Sequence, residues 1–218
     1  MSMTGETRAF ARRAAAVREI LDAAWAVMER EGVAALSVRE VARVVGLRQQ
    51  SLTHYFPTKQ ALLDALFADG FTDLRNVLDG VPSSADPVDS AVAVAVAVVE
   101  YCVAHPAHYH LMLQRTVPGF VPSEPSHRLA LQCLGGLVDR LTAAGVTNAR
   151  DLVVIRGLIS GLAGEQIAND PGGRHFVDQA GRGLRALLTG LTHTQQIRRN
   201  HARDRLAPRP ADRRRRAP

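Results

Sequence analysis

Residues 37–59 read SVREVARVVGLRQQSLTHYFPTK, and the fold is decided there. Ser37 stands before Val38, and Glu40 follows three residues later. This is capping-box spacing, in which the serine oxygen accepts from the Glu40 N–H and the glutamate reaches back to the Ser37 N–H. A helix therefore starts at Val38, with the apolar stripe Val38, Val41, Ala42 and Val45. Gly46 can take the positive φ of a sharp turn into another helix, predicted over about residues 48–55. Leu52 is the only aliphatic residue in that helix, so one side anchors on a core while Arg48, Gln49, Gln50, Ser51, Thr53 and His54 stay exposed.

A short polar helix of this kind is scarcely stable alone. Held against two others, it has the chemistry to read a major groove: glutamine pairs with adenine, arginine with guanine, and hydroxyls with bases or phosphates. By composition alone a solvated surface helix is an equal reading. The capped helix and glycine turn before it favour a helix-turn-helix.

Upstream, Val17, Ile20, Leu21, Ala24, Val27 and Met28 recur at helical spacing, and Gly32 follows as a left-handed cap. Residues 1–13 lack a sustained apolar period and hold Arg8, Arg12 and Arg13, so a flexible basic arm is expected, either frayed or touching phosphate. Residues 14–60 then form the head.

The run from 17 to 66 resembles the DNA-binding domain of the TetR (tetracycline-repressor) family. The resemblance rests on VREILDAAWAVMEREGV, LSVREVARVVGL and SLTHYFPTKQALLDAL, and within them on Ser37, Val38, Val41, Ala42, Gly46, Ser51, Leu52, Tyr55, Phe56 and Lys59. It implies that residues 48–55 enter the major groove, that Ser37 and Lys59 contact phosphates, and that Tyr55 and Phe56 close the turn into the next helix. Departures from the pattern are Arg48 in place of a small capping residue, Gln50 in place of glycine, alanine or proline, and Thr53 in place of tyrosine. Thr53 lacks a long phosphate-reaching arm, whereas Arg48 and Gln50 add reach.

The chain has 218 residues, 46% of them apolar but only 5% aromatic, which favours closely packed helices, an all-α protein of about nine helices. Residues 1–59 carry nine basic and six acidic side chains, residues 60–194 nine and thirteen, and residues 195–218 nine and two. Basic ends on an acidic body suit a polyanionic partner. Cys102 and Cys133 match no metal or redox spacing, so a reduced, cytoplasmic compartment is expected.

Beyond the head, Thr58 caps a helix running through Ala61, Leu62, Leu66, Phe67, Phe71, Leu74 and Leu78, which joins head to body without a break. In TetR-like proteins this helix carries ligand binding to the head by changing the distance between the two recognition helices of a dimer. Those helices must sit about 34 Å apart to enter successive major grooves of a palindromic operator. Residues 80–87 read as a loop. Residues 88–104 alternate Val and Ala like a strand, yet their length and alanine content favour a buried helix, too short and too interrupted by Glu100 to span a bilayer.

HPAHYHLMLQ, residues 105–114, gathers three histidines that could join Cys102 or Cys133 at a metal, but His105 precedes a helix-starting proline and no carboxylate stands at ligand spacing, so no metal and no cofactor are assigned. Its HPxxYxLM pattern also recurs in TetR-like regulatory domains. Residues 116–126 form a proline-rich loop, and helices are expected over about 127–144, 148–169 and 173–192. Phe71, Tyr101, Tyr109, Met112 and Phe120 are candidate walls of an effector pocket, or else plain core. Ile155, Leu158, Ile159, Leu162, Leu184, Leu187 and Leu188 exceed what one core face needs, and Gly157, Gly161 and Gly164 permit close helix approach. In a TetR-like dimer the last two helices pair with their symmetry mates as a four-helix bundle. The alternative is glycine spacing within one protomer.

Residues 61–194 are thus assigned to ligand binding and dimerisation, and the Arg/Pro-rich residues 195–218 to a disordered tail able to add nonspecific phosphate contacts. The chain has no GxSxG elbow, phosphate loop, zinc motif or dinucleotide fingerprint, so no enzyme is indicated. The expected function is a ligand-responsive repressor; the alternative is an architectural or activator-type DNA-binding dimer without an effector.

Overall fold

The computed structural model describes residues 5–206, with side chains described over 7–194. Its helices are α1 (Gly5–Glu31), α2 (Val38–Val44), α3 (Gln49–Tyr55), α4 (Lys59–Asp79) and α5 (Pro87–Ala104). Then follow α6 (Pro106–His108, continuing as a π-helix over Tyr109–Gln114), α7 (Glu124–Ala143), α8 (Ala149–Asn169) and α9 (Val177–Leu206). Among the described residues there is no strand. The expected all-α fold with about nine helices is what forms.

Most boundaries follow local chemistry. Thr58 accepts from the Ala61 N–H at 3.0 Å and starts α4; Asp86 accepts from the Val88 and Asp89 N–H groups at 2.7 and 3.2 Å and starts α5. Helix α5 resolves the Val/Ala alternation: Val92, Val94, Ala95, Val98 and Val99 are all buried, in a helix packed against α7, α8 and α9. With Pro87 included it reaches 18 residues and is, by length and apolarity alone, able to cross a membrane, contrary to the expectation that it is too short.

Three boundaries differ from those expected. Residues 5–13, read as a flexible arm, belong to α1, because alanines and arginines propagate a helix whose nucleus already exists further on. Helix α7 starts at Glu124, inside the expected loop, since Asp64 of α4 accepts from the Ser123 N–H at 2.7 Å and from the Ser123 and Ser126 hydroxyls at 2.8 and 2.9 Å. Helix α9 continues to Leu206, into the stretch read as disordered tail. Residues 207–218 of that tail and residues 1–4 of the arm lie outside the described residues.

One apolar core runs from head to body, through Ile20, Met28, Leu36 and Leu52 to Leu62, Phe67, Leu74, Leu111 and Ile155. Each such buried side chain contributes about 1.5–3 kcal/mol relative to exposure. Polar contacts lock the same seam. Arg18 of α1 donates to both Asp69 carboxylate oxygens of α4, and the Trp25 indole N–H donates to Asp69 Oδ2 at 2.8 Å.

Candidate nucleic-acid interface and the elements that position it

The turn between α2 and α3 is built locally. Ser37 Oγ accepts from the Glu40 N–H at 3.1 Å, leaving its own hydroxyl hydrogen for another acceptor. The reciprocal half of the expected capping box is not made. Glu40 instead pairs with Arg43 through contacts of 2.5 and 3.0 Å, which hold its carboxyl below the usual range. A charged guanidinium one turn away outcompetes a neutral amide for that carboxylate. Gly46 takes φ 68°, and the Leu47 N–H donates to Ala42 O at 2.9 Å, closing the turn.

Helix α3 is pinned by Leu52, which is 0% exposed. Around it Arg48, Gln49, Gln50, Ser51 and His54 are exposed, together with Lys59 at the start of α4. Arg48 is the N-cap residue of α3 and contributes no side-chain cap bond, so its guanidinium is not consumed by the helix. Thr53 is half-buried and its hydroxyl donates back to Gln50 O at 2.8 Å. Tyr55 is also half-buried, and the Arg13 guanidinium lies 5.2 Å from its ring centroid. Ser37 is half-buried as well. Arg39, exposed on α2, was not among the expected site residues.

The family described as "Bacterial regulatory proteins, tetR family" matches residues 20–66, which run from α1 through α2 and α3 into α4. Over that head the chain is similar to the tetR family. The HTH-type transcriptional regulator Rv1816 of Mycobacterium tuberculosis is 31% identical over 121 residues, 54% of this chain. The chain spans about half the length of the curated relatives it matches, 51% for Rv1816. A TetR-family regulator from Streptomyces coelicolor superposes with TM-score 0.63 at 19% identity, covering 96% of this chain and 93% of its own. A TetR variant of Acinetobacter baumannii AYE in complex with minocycline superposes with TM-score 0.58 at 21% identity, covering 80% and 95%. These two structural likenesses carry the fold; the matched family and the curated relatives are transcriptional regulators, a non-enzymatic class.

The body of the chain sorts the remaining candidates. Phe71, Tyr101, Tyr109, Met112 and Phe120 are all buried. Phe71 and Phe120 both pack on Phe67, with centroid distances of 4.8 and 5.9 Å. The Tyr101 hydroxyl donates to Gly70 O at 3.0 Å, and the Tyr109 hydroxyl to Ser160 O at 2.9 Å. These residues are therefore core. Neither of two clefts described on the protein includes them: one of about 260 Å³ is lined by Lys59, Gln60, Leu63 and Val117, the other of about 240 Å³ by Arg75, Cys133, Leu137 and Arg140. Aromatic residues mark helix packing as readily as a pocket wall, so residue type alone did not separate the two.

The expected dimer residues divide likewise. Ile155, Ile159, Leu184 and Leu188 are at most 5% exposed and belong to the core of the protomer, whereas Leu158, Leu162 and Leu187 are half-buried. The outer face of α8 is formed by Val153 and Val154, 60% and 51% exposed, with Gly157 and Gly161, whose missing side chains would meet nothing within 4 Å. Gly164 differs from those two: a Cβ there would sit 2.7 Å from the Tyr109 hydroxyl, so it serves packing inside the protomer.

Proposed function

We propose that the chain is a cytoplasmic, homodimeric transcriptional regulator that represses from a palindromic operator and is released by a small-molecule effector. The observation that carries the reading is the exposed face of α3, Arg48, Gln49, Gln50, Ser51 and His54, on a helix fixed by Leu52, with Lys59 exposed at the start of α4. Gln49 and Gln50 read base edges, Arg48 adds a guanine or phosphate contact, and Ser37, Thr53, Tyr55 and Lys59 hold the backbone. Self-association uses the open α8 face around Gly157 and Gly161, with α9 beside it, which permits close helix packing across a two-fold axis. Effector control is supported by the continuity of α4 from Lys59 to Asp79 and by the minocycline complex of a structurally similar protein.

The second reading is an architectural or activator-type dimer without an effector. The packing of all five pocket candidates into the core favours it. Selection of bound fragments from genomic DNA, followed by footprinting, tests the common part: one short two-fold-symmetric protected sequence is expected, and uniform binding to all fragments overturns sequence-specific regulation. Small molecules that release that fragment separate the first reading from the second.

A further inference from the structure

The histidine cluster at the α5–α6 corner is not spent on the interface above. Among the described residues, one buried side-chain polar atom has no hydrogen-bond partner, and it is Nδ1 of His108. His108 is 6% exposed, and its ring is stacked on Trp25 at 3.6 Å with an interplanar angle of 11° and met edge-on by Tyr101 at 5.7 Å. A buried nitrogen left unpaired costs about 1–3 kcal/mol, so its placement calls for a partner.

We propose that Glu29, His105 and His108 form a binding site for a divalent transition-metal ion, seated between the end of α1 and the α5–α6 corner. Donor atoms of all three lie within 4.8 Å of one another, and Glu29 Oε1 is 3.7 Å from His108 Nδ1. That separation is too long for a hydrogen bond. It is close to the roughly 3.3 Å between donors that tetrahedral bonds of about 2.0–2.1 Å require.

The Ala107 N–H donates to Glu29 Oε1 at 3.1 Å, which orients the carboxylate toward the α5–α6 corner. His105 caps α5, with its ring 5.0 Å from that of His108. Glu29 and His105 are exposed, so ions have access, and these two can close on the fixed His108 by the ångström or so that bonding needs.

Two imidazoles and one carboxylate suit Zn²⁺, Co²⁺ or Ni²⁺ rather than the all-oxygen shells of Mg²⁺ or Ca²⁺, and they leave a fourth position for water. The ion would bond the helix that supports the DNA-reading head to the corner of the body. The site stands on its own whether or not an effector releases DNA.

Titration of the chelator-treated full-length chain with Co²⁺ tests the assignment through the visible d–d bands of a tetrahedral site. One Co²⁺ per protomer, displaced by Zn²⁺, is expected. His105→Ala and Glu29→Gln, at exposed positions, should lower the affinity on the order of 100-fold or more, since even outer-shell losses cost about 10–100-fold. His108→Ala also removes the ring stacked on Trp25, so the two exposed ligands carry the test, with unchanged far-ultraviolet circular dichroism as the control for folding. Absence of saturable Co²⁺ or Zn²⁺ binding by the folded chain overturns the proposal. So does undiminished binding when His105→Ala and Glu29→Gln are combined in one chain.

Discussion

Arg18 of α1 holds Asp69 of α4 with both terminal guanidinium nitrogens, at 2.5 and 3.0 Å. The side chain of Asp69 is 12% exposed and also accepts from the Trp25 indole, so one carboxylate fastens the support helix to the connecting helix. Asp69→Asn should lower stability by about 1.5–3 kcal/mol, the range for hydrogen bonds to charged groups. Arg18→Ala should cost less, about 1 kcal/mol, because Arg18 is the more exposed partner. Urea unfolding should move the midpoint at constant m-value; equal, negligible shifts for both would mean the pair does not hold the seam.

The α3 face makes a prediction of a different kind. Gln49→Ala with Gln50→Ala should lose about 1–3 kcal/mol of discrimination per lost base contact while binding random DNA almost unchanged. Lys59→Ala should weaken specific and random DNA alike and reduce the salt slope by about 1. Competition binding at several salt concentrations distinguishes these outcomes, and an equal loss on both DNAs for the glutamine pair would show that it does not read sequence.

Gly157 and Gly161 open onto empty space, so larger side chains there leave the protomer intact. Gly157→Glu with Gly161→Glu should convert dimers to monomers in sedimentation equilibrium without lowering helicity. A dimer that survives both substitutions excludes this face of α8.

Inside the protomer, two other glycines should respond with opposite signs. A Cβ at Gly164 would crowd the Tyr109 hydroxyl, which itself donates to Ser160 O, so Gly164→Ala should destabilise by about 1–3 kcal/mol through overpacking. Gly135 on α7 has nothing within 4 Å, and Gly135→Ala should stabilise by up to about 1 kcal/mol through helix propensity. Thermal melts of the two variants check the contrast.

His105 supplies a pH dependence. Its folded-state pKa lies below the ordinary value near 6.5, so the unfolded chain binds the proton first as pH falls. Stability present above about pH 6.5 should therefore decline as the pH drops below that value. In the presence of a chelator, His105→Gln should flatten this part of the profile; an unchanged slope would assign it to other groups.

The head was legible because its determinants are local. Ser37, Gly46 and Leu52 act within a few residues of themselves, and their roles survive in the fold. Glu40 departed from expectation because its choice between a backbone N–H and Arg43 is settled by charge, which the capping pattern ignores. In the body the same apolar period serves an inner and an outer face. Nothing in the spacing of Ile155, Leu158, Leu184 and Leu187 says which of them faces its own protomer. Glu29, in α1, meets the histidines of the α5–α6 corner only after folding, so HPAHYH read alone lacked its carboxylate.

Helix α4 is 21 residues long without interruption, about 32 Å of rigid rod. Pivoting it by ~5° at the body end sweeps its other end through about 3 Å, and two copies pivoting oppositely would change their separation by about 6 Å, a sizeable fraction of one 34 Å helical turn of DNA. In such a dimer a rearrangement no larger than a side-chain rotamer at one end would become a misfit of nearly two base-pair steps at the other. Length, rather than any particular residue, would amplify it.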